Sequence, residues 1–322
     1  MEHGEFVWMN GEITPWAEAQ VHVLTHALHY GSAVFEGVRV YETPQGPCAF
    51  RLADHMRRLI TSGRIYGIVS DYAVEELIQA CRDIAHANHL SSGYLRPIAY
   101  FGETTMKVVP SEDAKVDVAI AAFPLGAYLG DGAVEHGVDV CVSSWRRPAP
   151  STTPSAAKAA GNYLSGLLIG REARARGFAE GIALGADGRL SEGAGENLFL
   201  VKDGALMTPP AGDSILMGVT RDTVIRLAEQ QGIRVIQQSM PREMLHFADE
   251  MFLTGTAAEI TPVRSVDHIP VGDRRVGPVT KALQSAFFGL FDGSTHDDWD
   301  WLDPIRPEGK KRGDRHGAYY AV

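Results

Sequence analysis

Cysteine is scarce in this chain: three in 322 residues, at positions 48, 81 and 141. No CxxC pair occurs, so neither a disulfide framework nor a thiolate metal site is expected. Positive charge is in deficit. Thirty Lys and Arg against forty Asp and Glu leave a formal charge of −10. That balance argues against nucleic acid and against anionic membrane as partners, because phosphate surfaces call for basic patches. No uninterrupted apolar run reaches the roughly 18 residues of a membrane helix. The opening Met1-Glu2-His3-Gly4-Glu5 lacks the basic-then-apolar order of a signal peptide. A soluble, cytoplasmic protein is the expectation. The motifs GxGxxG, GxxxxGK[ST] and GxSxG are also missing, which leaves a dinucleotide fold, a P-loop and a serine nucleophile elbow without support.

Composition is otherwise ordinary, 45% apolar and 22% charged, with length for one large core or two medium ones. Phe6-Val7-Trp8-Met9 followed by Asn10-Gly11 predicts a strand and a hairpin turn. Residues 33–41, 94–101 and 116–123 are further strand candidates. Residues 51–68 and 74–88 have helical spacing, with Asp71 placed to start the second helix. Strands and helices alternate without one dominating, so this part reads as α+β. Pro124-Leu125-Gly126-Ala127-Tyr128-Leu129-Gly130 marks a linker. Beyond it, strands are expected at 139–143, 181–184, 197–201, 234–238 and 250–253, and helices at 160–176 and 220–231. The resulting division is 1–123, a linker at 124–135, a larger unit at 136–303, and a loosely held charged tail at 304–322.

Lysine is rare, seven against twenty-three arginines. Lys158 stands apart from the rest because Ser155-Ala156-Ala157 and Ala159-Ala160-Gly161 flank it with small residues. Another molecule could approach its amine, and a desolvated lysine amine can attack a carbonyl. Alone, it reads more readily as a surface lysine at a helix start. Ser191-Glu192-Gly193-Ala194-Gly195-Glu196-Asn197 sets two carboxylates in a glycine-rich turn. Gly218-Val219-Thr220 opens a periodic helix, where free N–H groups and a hydroxyl could bind phosphate or simply cap the helix. Thr254-Gly255-Thr256-Ala257-Ala258 is a small-residue turn that could offer N–H groups to an anion. His22, His26 and His29 would share one helical face, but Leu24, Ala27 and Leu28 favour packing over metal binding.

In order along the chain, these pieces resemble the class IV (fold type IV) pyridoxal phosphate enzymes. The likeness is carried by Glu192-Gly-Ala-Gly-Glu-Asn197-Leu-Phe199, Thr208 and Leu216-Met-Gly218-Val-Thr-Arg221. Five further segments are similar to the bacterial branched-chain amino acid aminotransferases. They are His26-Ala-Leu-His-Tyr30, Val34-Phe35-Glu36-Gly37, Tyr94-Leu-Arg96-Pro97, Lys158-Ala-Ala-Gly-Asn162-Tyr163 and Gly255-Thr-Ala-Ala-Glu-Ile260. The resemblance implies a small N-terminal α+β domain and a larger, β-barrel-like C-terminal domain with helices, pyridoxal 5'-phosphate lying between them. Lys158 would carry the cofactor and move the substrate proton. Glu192 would face the pyridine nitrogen, an attraction of about 4 kcal/mol at about 4 Å and an effective dielectric of about 20. Tyr163 would meet the phenolic oxygen; Arg58, Val219, Thr220 and Thr256 would hold the phosphate. Phe35, Tyr128 and Tyr163 would form an apolar wall. Tyr94, with the N–H groups of Thr256 and Ala257, would take the α-carboxylate, and Arg96 the side-chain carboxylate of glutamate. Tyr30 and Val108 would reach into a neighbouring subunit's site. A homodimer is then the minimum unit, and a hexamer is compatible with the family. The reaction implied is amino-group exchange between leucine, isoleucine or valine and 2-oxoglutarate.

Two places depart from that pattern. Leu125 stands where relatives carry tryptophan, which predicts a larger pocket and better tolerance of aromatic substrates. The segment Thr104-Thr105-Met106-Lys107-Val108-Val109-Pro110 lacks the glycines and asparagine of relatives, which puts its order in question. Rival readings are a D-amino acid aminotransferase, an aminodeoxychorismate lyase or an R-selective amine transaminase on the same fold. From other classes come a cofactor-free Schiff-base aldolase and a non-catalytic scaffold.

Overall fold

Asn10 and Gly11 both have positive φ, 50° and 98°, and turn β1 (Phe6–Met9) back onto β2 (Glu12–Pro15) as the sequence predicts. The structure is a computed structural model and describes residues 3–305. After the short helix α1 (His26–Tyr30) come β3 (Ala33–Phe35), β4 (Val38–Thr43) and β5 (Gly46–Phe50), then α2 (Leu52–Tyr66) and α3 (Val74–Ala87), then β6 (Gly93–Phe101) and β7 (Val116–Phe123). The strands build one sheet with β3 paired to β6 at its side. Helix α2 turns Leu52, Met56 and Leu59 inward, and α3 turns Leu77, Cys81 and Ile84. These spacings put one stripe of each helix on a shared core with Val34, Val40, Leu95 and Ile120 of the sheet.

Two local expectations need correction. The start of α3 is Ala73, whose N–H donates to Glu76 Oε2 at 2.8 Å; Asp71 is not the cap. The single strand expected at 33–41 is broken at Glu36-Gly37. Glu36 turns wholly inward, and a Cβ at Gly37 would overlap the Tyr94 hydroxyl.

The linker passes through the short α4 (Ala133–His136) into a second sheet: β8 (Val138–Arg146), β9 (Glu180–Leu184), β10 (Leu190–Gly193), β11 (Asn197–Lys202), β12 (Ala205–Thr208), β13 (Val235–Gln237), β14 (Glu250–Gly255), β15 (Glu259–Val266) and β16 (Ile269–Pro270). Its order is β10-β9-β8-β15-β14-β11-β12-β13, and β10 also pairs with β11. Strands β10, β9, β8, β15, β14 and β11 therefore close into a ring, the barrel-like unit expected. The closing pair is Glu192 opposite Asn197. Val140, Ile182, Leu190, Leu198 and Leu253 belong to one core of this unit. A second core joins Phe199 and Phe252 to α6 (Val219–Gln230) and α8 (Pro278–Asp292). Phe50 of the first sheet enters that second core, its ring 5.6 Å from Phe287, and so ties the two sheets together.

Helix α5 (Tyr163–Ala175) begins after a 3-10 turn at Ala160–Asn162; α7 (Met244–Phe247) is a single turn. The last strand, β17 (Leu302–Pro304), returns to the first sheet beside β5, although the sequence reading ran the second unit to residue 303. The remainder of the expected tail, 306–322, lies outside the described residues. No helix among the described residues is long and apolar enough to cross a membrane.

Candidate active site

Lys158 sits in the segment between β8 and α5, pinned against β3. Phe35 N–H donates to Lys158 O at 3.0 Å, and Lys158 N–H donates to Ser62 Oγ at 3.0 Å. Its Nζ donates to Tyr163 Oη at 2.6 Å and lies 4.9 Å from the ring centroids of both Phe35 and Tyr163. Loss of water and the nearby Arg58 charge lower its pKa to about 8, with Glu36 opposing. Burial, followed by the Glu192 charge, pushes the Tyr163 phenol up. The amine is therefore poised to lose its proton near neutrality while the phenol keeps its own.

Glu192 reaches the same cleft from the barrel closure. Oε1 pairs with Arg147 Nη2 at 2.7 Å. Oε2 accepts from Asn197 Nδ2 at 2.9 Å and from Leu216 N–H at 2.9 Å. Burial raises its pKa, and Arg147 and the Leu216 N–H pull the other way. Asn197 also donates to Leu216 O at 2.8 Å. A Cβ at Gly218 would collide with its Oδ1, which explains a glycine just before α6.

Arg58 extends from α2. Its Nε and Nη2 hold the two oxygens of Glu36 at 2.6 and 2.8 Å, and Nη1 donates to Met217 O at 2.9 Å. His55 Nδ1 lies 2.7 Å from Glu36 Oε2. Burial alone would raise the Glu36 carboxyl, but Arg58 and His55 overcome it and hold it well below the usual carboxylate range. The fixed guanidinium, the first turn of α6 at Val219 and Thr220, and Thr256 line the same cleft as Lys158, Tyr163 and Glu192. A cation, helix-start N–H groups and two hydroxyls form a donor set for a dianion. The same lining holds Glu192, anchored by Arg147, a carboxyl group that could pair with a ring nitrogen. Thr254 Oγ1 and Glu196 Oε1, both buried in this lining, have no hydrogen-bond partner among the described residues. These residues fit pyridoxal phosphate from ring to phosphate.

An adjoining cleft is lined by Phe35, Tyr94, Arg96, Tyr128 and Ala257, and shares Lys158, Tyr163 and Thr256 with the first. Arg96 lies 5.0 Å from the Phe35 ring and 5.3 Å from the Tyr94 ring. Leu125 lines neither cleft. Tyr30 and Val108 are likewise outside both and exposed. Tyr30 Oη donates to Met106 O at 2.9 Å, and His26 Nε2 lies 2.8 Å from Lys107 O. The glycine-poor segment at 104–110 is thus held by two side chains of α1. His26 Nδ1 lies 2.7 Å from Ser32 Oγ, so that histidine serves packing and hydrogen bonding.

Sequence reasoning missed Arg147, His55 and the role of Glu36. Arg147 lies outside every motif that pointed to the site; Glu36 was visible only as part of Phe35-Glu36-Gly37.

The profile of the family described as Amino-transferase class IV matches residues 33–266. The branched-chain-amino-acid aminotransferase of Salmonella typhimurium is 56% identical over 301 residues, covering 94% of this chain and 97% of that protein. The chain belongs to the class IV aminotransferases. Its structure resembles the branched-chain amino acid aminotransferase of Escherichia coli, with a TM-score of 0.93 and 55% identity over 94% of this chain and 100% of that one. It also resembles the branched-chain amino acid aminotransferase of Thermobaculum terrenum in its PLP-bound holo-form, with a TM-score of 0.88 and 33% identity over 95% of this chain and 100% of that one. The family read from the sequence, its fold and its cofactor class are borne out.

Proposed function

We propose that this chain is a branched-chain amino acid aminotransferase, exchanging the amino group between L-leucine, L-isoleucine or L-valine and 2-oxoglutarate with pyridoxal 5'-phosphate. The observation that carries this reading is Lys158. Its amine has a pKa of about 8 in a cleft with Glu192–Arg147 and the Arg58–α6 donor set. When bound, the cofactor supplies an electron-withdrawing ring that stabilises negative charge at the substrate Cα. Lys158 would hold that group, and its Nζ would take and return the Cα proton. Tyr163 stays protonated and donates to the ring oxygen. Glu192, whose carboxylate form Arg147 favours against the upward pull of burial, would pair with the ring nitrogen. Arg58, Val219, Thr220 and Thr256 fix the phosphate.

Phe35, Tyr128 and Tyr163 exclude water from the substrate side chain. Tyr94 and the N–H groups of Thr256 and Ala257 orient the α-carboxylate, and Arg96 accommodates the second carboxylate of glutamate. Tyr30 and Val108, exposed together, serve the site of a second copy in a homodimer, the building block of a hexamer, in the cytoplasm. The apolar groove along Val21, Ala27 and Leu28 supports such a contact. Amino-donor assays with L-leucine, D-alanine and an R-amine test the reaction: L-leucine alone should serve. Sedimentation of the loaded protein tests the assembly, and a monomer would overturn that part.

A further inference from the structure

Arg51 opens α2 but grips the far side of the α6 start. Its φ of 54° and ψ of 39° are left-handed, uncommon for a residue with a side chain. The backbone N–H donates to Trp301 O at 2.7 Å, and the guanidinium lies 4.8 Å from the Trp301 ring centroid. Nε and Nη2 hold Asp54 at 2.7 and 2.6 Å. Nη1 crosses to α6, donating to Val219 O at 3.2 Å, Asp222 Oδ2 at 2.7 Å and Thr223 Oγ1 at 3.0 Å. The side chain is 7% exposed and lines neither cleft.

About two helical turns along α2, Arg58 reaches Met217 O. Residues 217–223 are therefore held by two guanidinium groups, at Met217 O from Arg58 and at Val219 O, Asp222 and Thr223 from Arg51, so that the Val219 and Thr220 N–H groups lie within the clamped stretch. Asp54 and Asp222 offset the charge of Arg51, so its influence on an anion in the cleft runs through geometry rather than through long-range attraction. We propose that Arg51 is a positioning residue for the cofactor phosphate: it locks the first turn of α6 against α2 so that Arg58 and the Val219 and Thr220 N–H groups converge on one anion. The inference rests on the pyridoxal phosphate reading above.

Equilibrium dialysis of the full chain against pyridoxal phosphate and against pyridoxal tests it, because only the first carries the phosphate and each variant is read as a ratio to the wild type with the same probe. Arg51→Ala should weaken pyridoxal phosphate about tenfold, or about 1.4 kcal/mol, and pyridoxal less than twofold. Arg51→Lys, a point charge in place of a fork, should fall between. Asp222→Ala, which keeps the arginine and removes one contact on α6, should show the same phosphate-selective loss at smaller size. Arg57→Ala, whose side chain is exposed and bonds Asp54, should bind both probes as the wild type does. Equal loss of both probes in the Arg51 and Asp222 variants would make the residue merely structural and overturn the inference, as would no loss. A wild-type chain that binds pyridoxal phosphate no better than pyridoxal would instead overturn the assignment of the phosphate site, and the inference with it.

Discussion

Arg147 and Glu192 form a buried ion pair, Nη2 to Oε1 at 2.7 Å, each side chain 6% exposed. The other carboxylate oxygen is taken by Asn197 and the Leu216 N–H. One carboxylate at the closing pair of the barrel is thus fixed in angle, with Arg147 and the Leu216 N–H opposing the upward pull of burial on its pKa.

Removing Arg147 leaves that charge buried without its partner, a loss of about 3–5 kcal/mol in comparable pairs. Arg147→Leu should lower Tm. It should also reduce kcat at least about tenfold with little change in KM for leucine, because the ring nitrogen loses its ionised partner. Steady-state kinetics and thermal melts on the same preparation check both. An unchanged kcat would show that Glu192 needs no such support.

Lys158 reacts as the neutral amine, and its pKa of about 8 sets the pH window. Covalent capture of pyridoxal phosphate by the cofactor-stripped chain should therefore speed up as pH rises from 6 to 8, about tenfold per unit, and level off above. Stopped-flow absorbance measures the rate. A rise continuing to pH 10 would show an ordinary lysine. Lys158→Ala should abolish capture.

Glu36 joins Arg58 and His55 with no exposed surface. Its folded pKa lies below the usual value of 4.5, so the stability it contributes is complete above that pH and is lost as pH falls below it. Glu36→Gln should lower stability by about 3 kcal/mol at pH 7, and the gap to wild type should shrink on acidification. Urea melts at pH 7 and pH 4 check the sign.

Arg96 is exposed and stands at the rim of the second cleft. Arg96→Ala should raise KM for 2-oxoglutarate about tenfold or more, the value of a charge-assisted hydrogen bond. The half-reaction with leucine should change little. Equal losses on both substrates would place the second carboxylate elsewhere.

Local chemistry was legible in the sequence and long-range pairing was not. Asn10-Gly11 forced its turn through backbone sterics, and Lys158, Glu192, Val219-Thr220 and Thr256 converge on one cleft as their motifs implied. Strands β5, β10, β12, β15, β16 and β17 went unseen. Leu190, Ser191, Glu192 and Gly193 are buried throughout, so β10 has no alternation to read. Helix α8 was missed although Pro278 marks its first turn. Arg147 and Arg51 act across 45 and 171 positions, to Glu192 and Asp222, and no local pattern announces partners at such separations.

The most direct test of the whole account is the visible spectrum of the loaded protein on addition of L-leucine alone. The yellow absorbance should disappear, and 2-oxoglutarate should restore it. Yellow protein that ignores L-leucine but is bleached by a D-amino acid or an R-amine would contradict the branched-chain assignment.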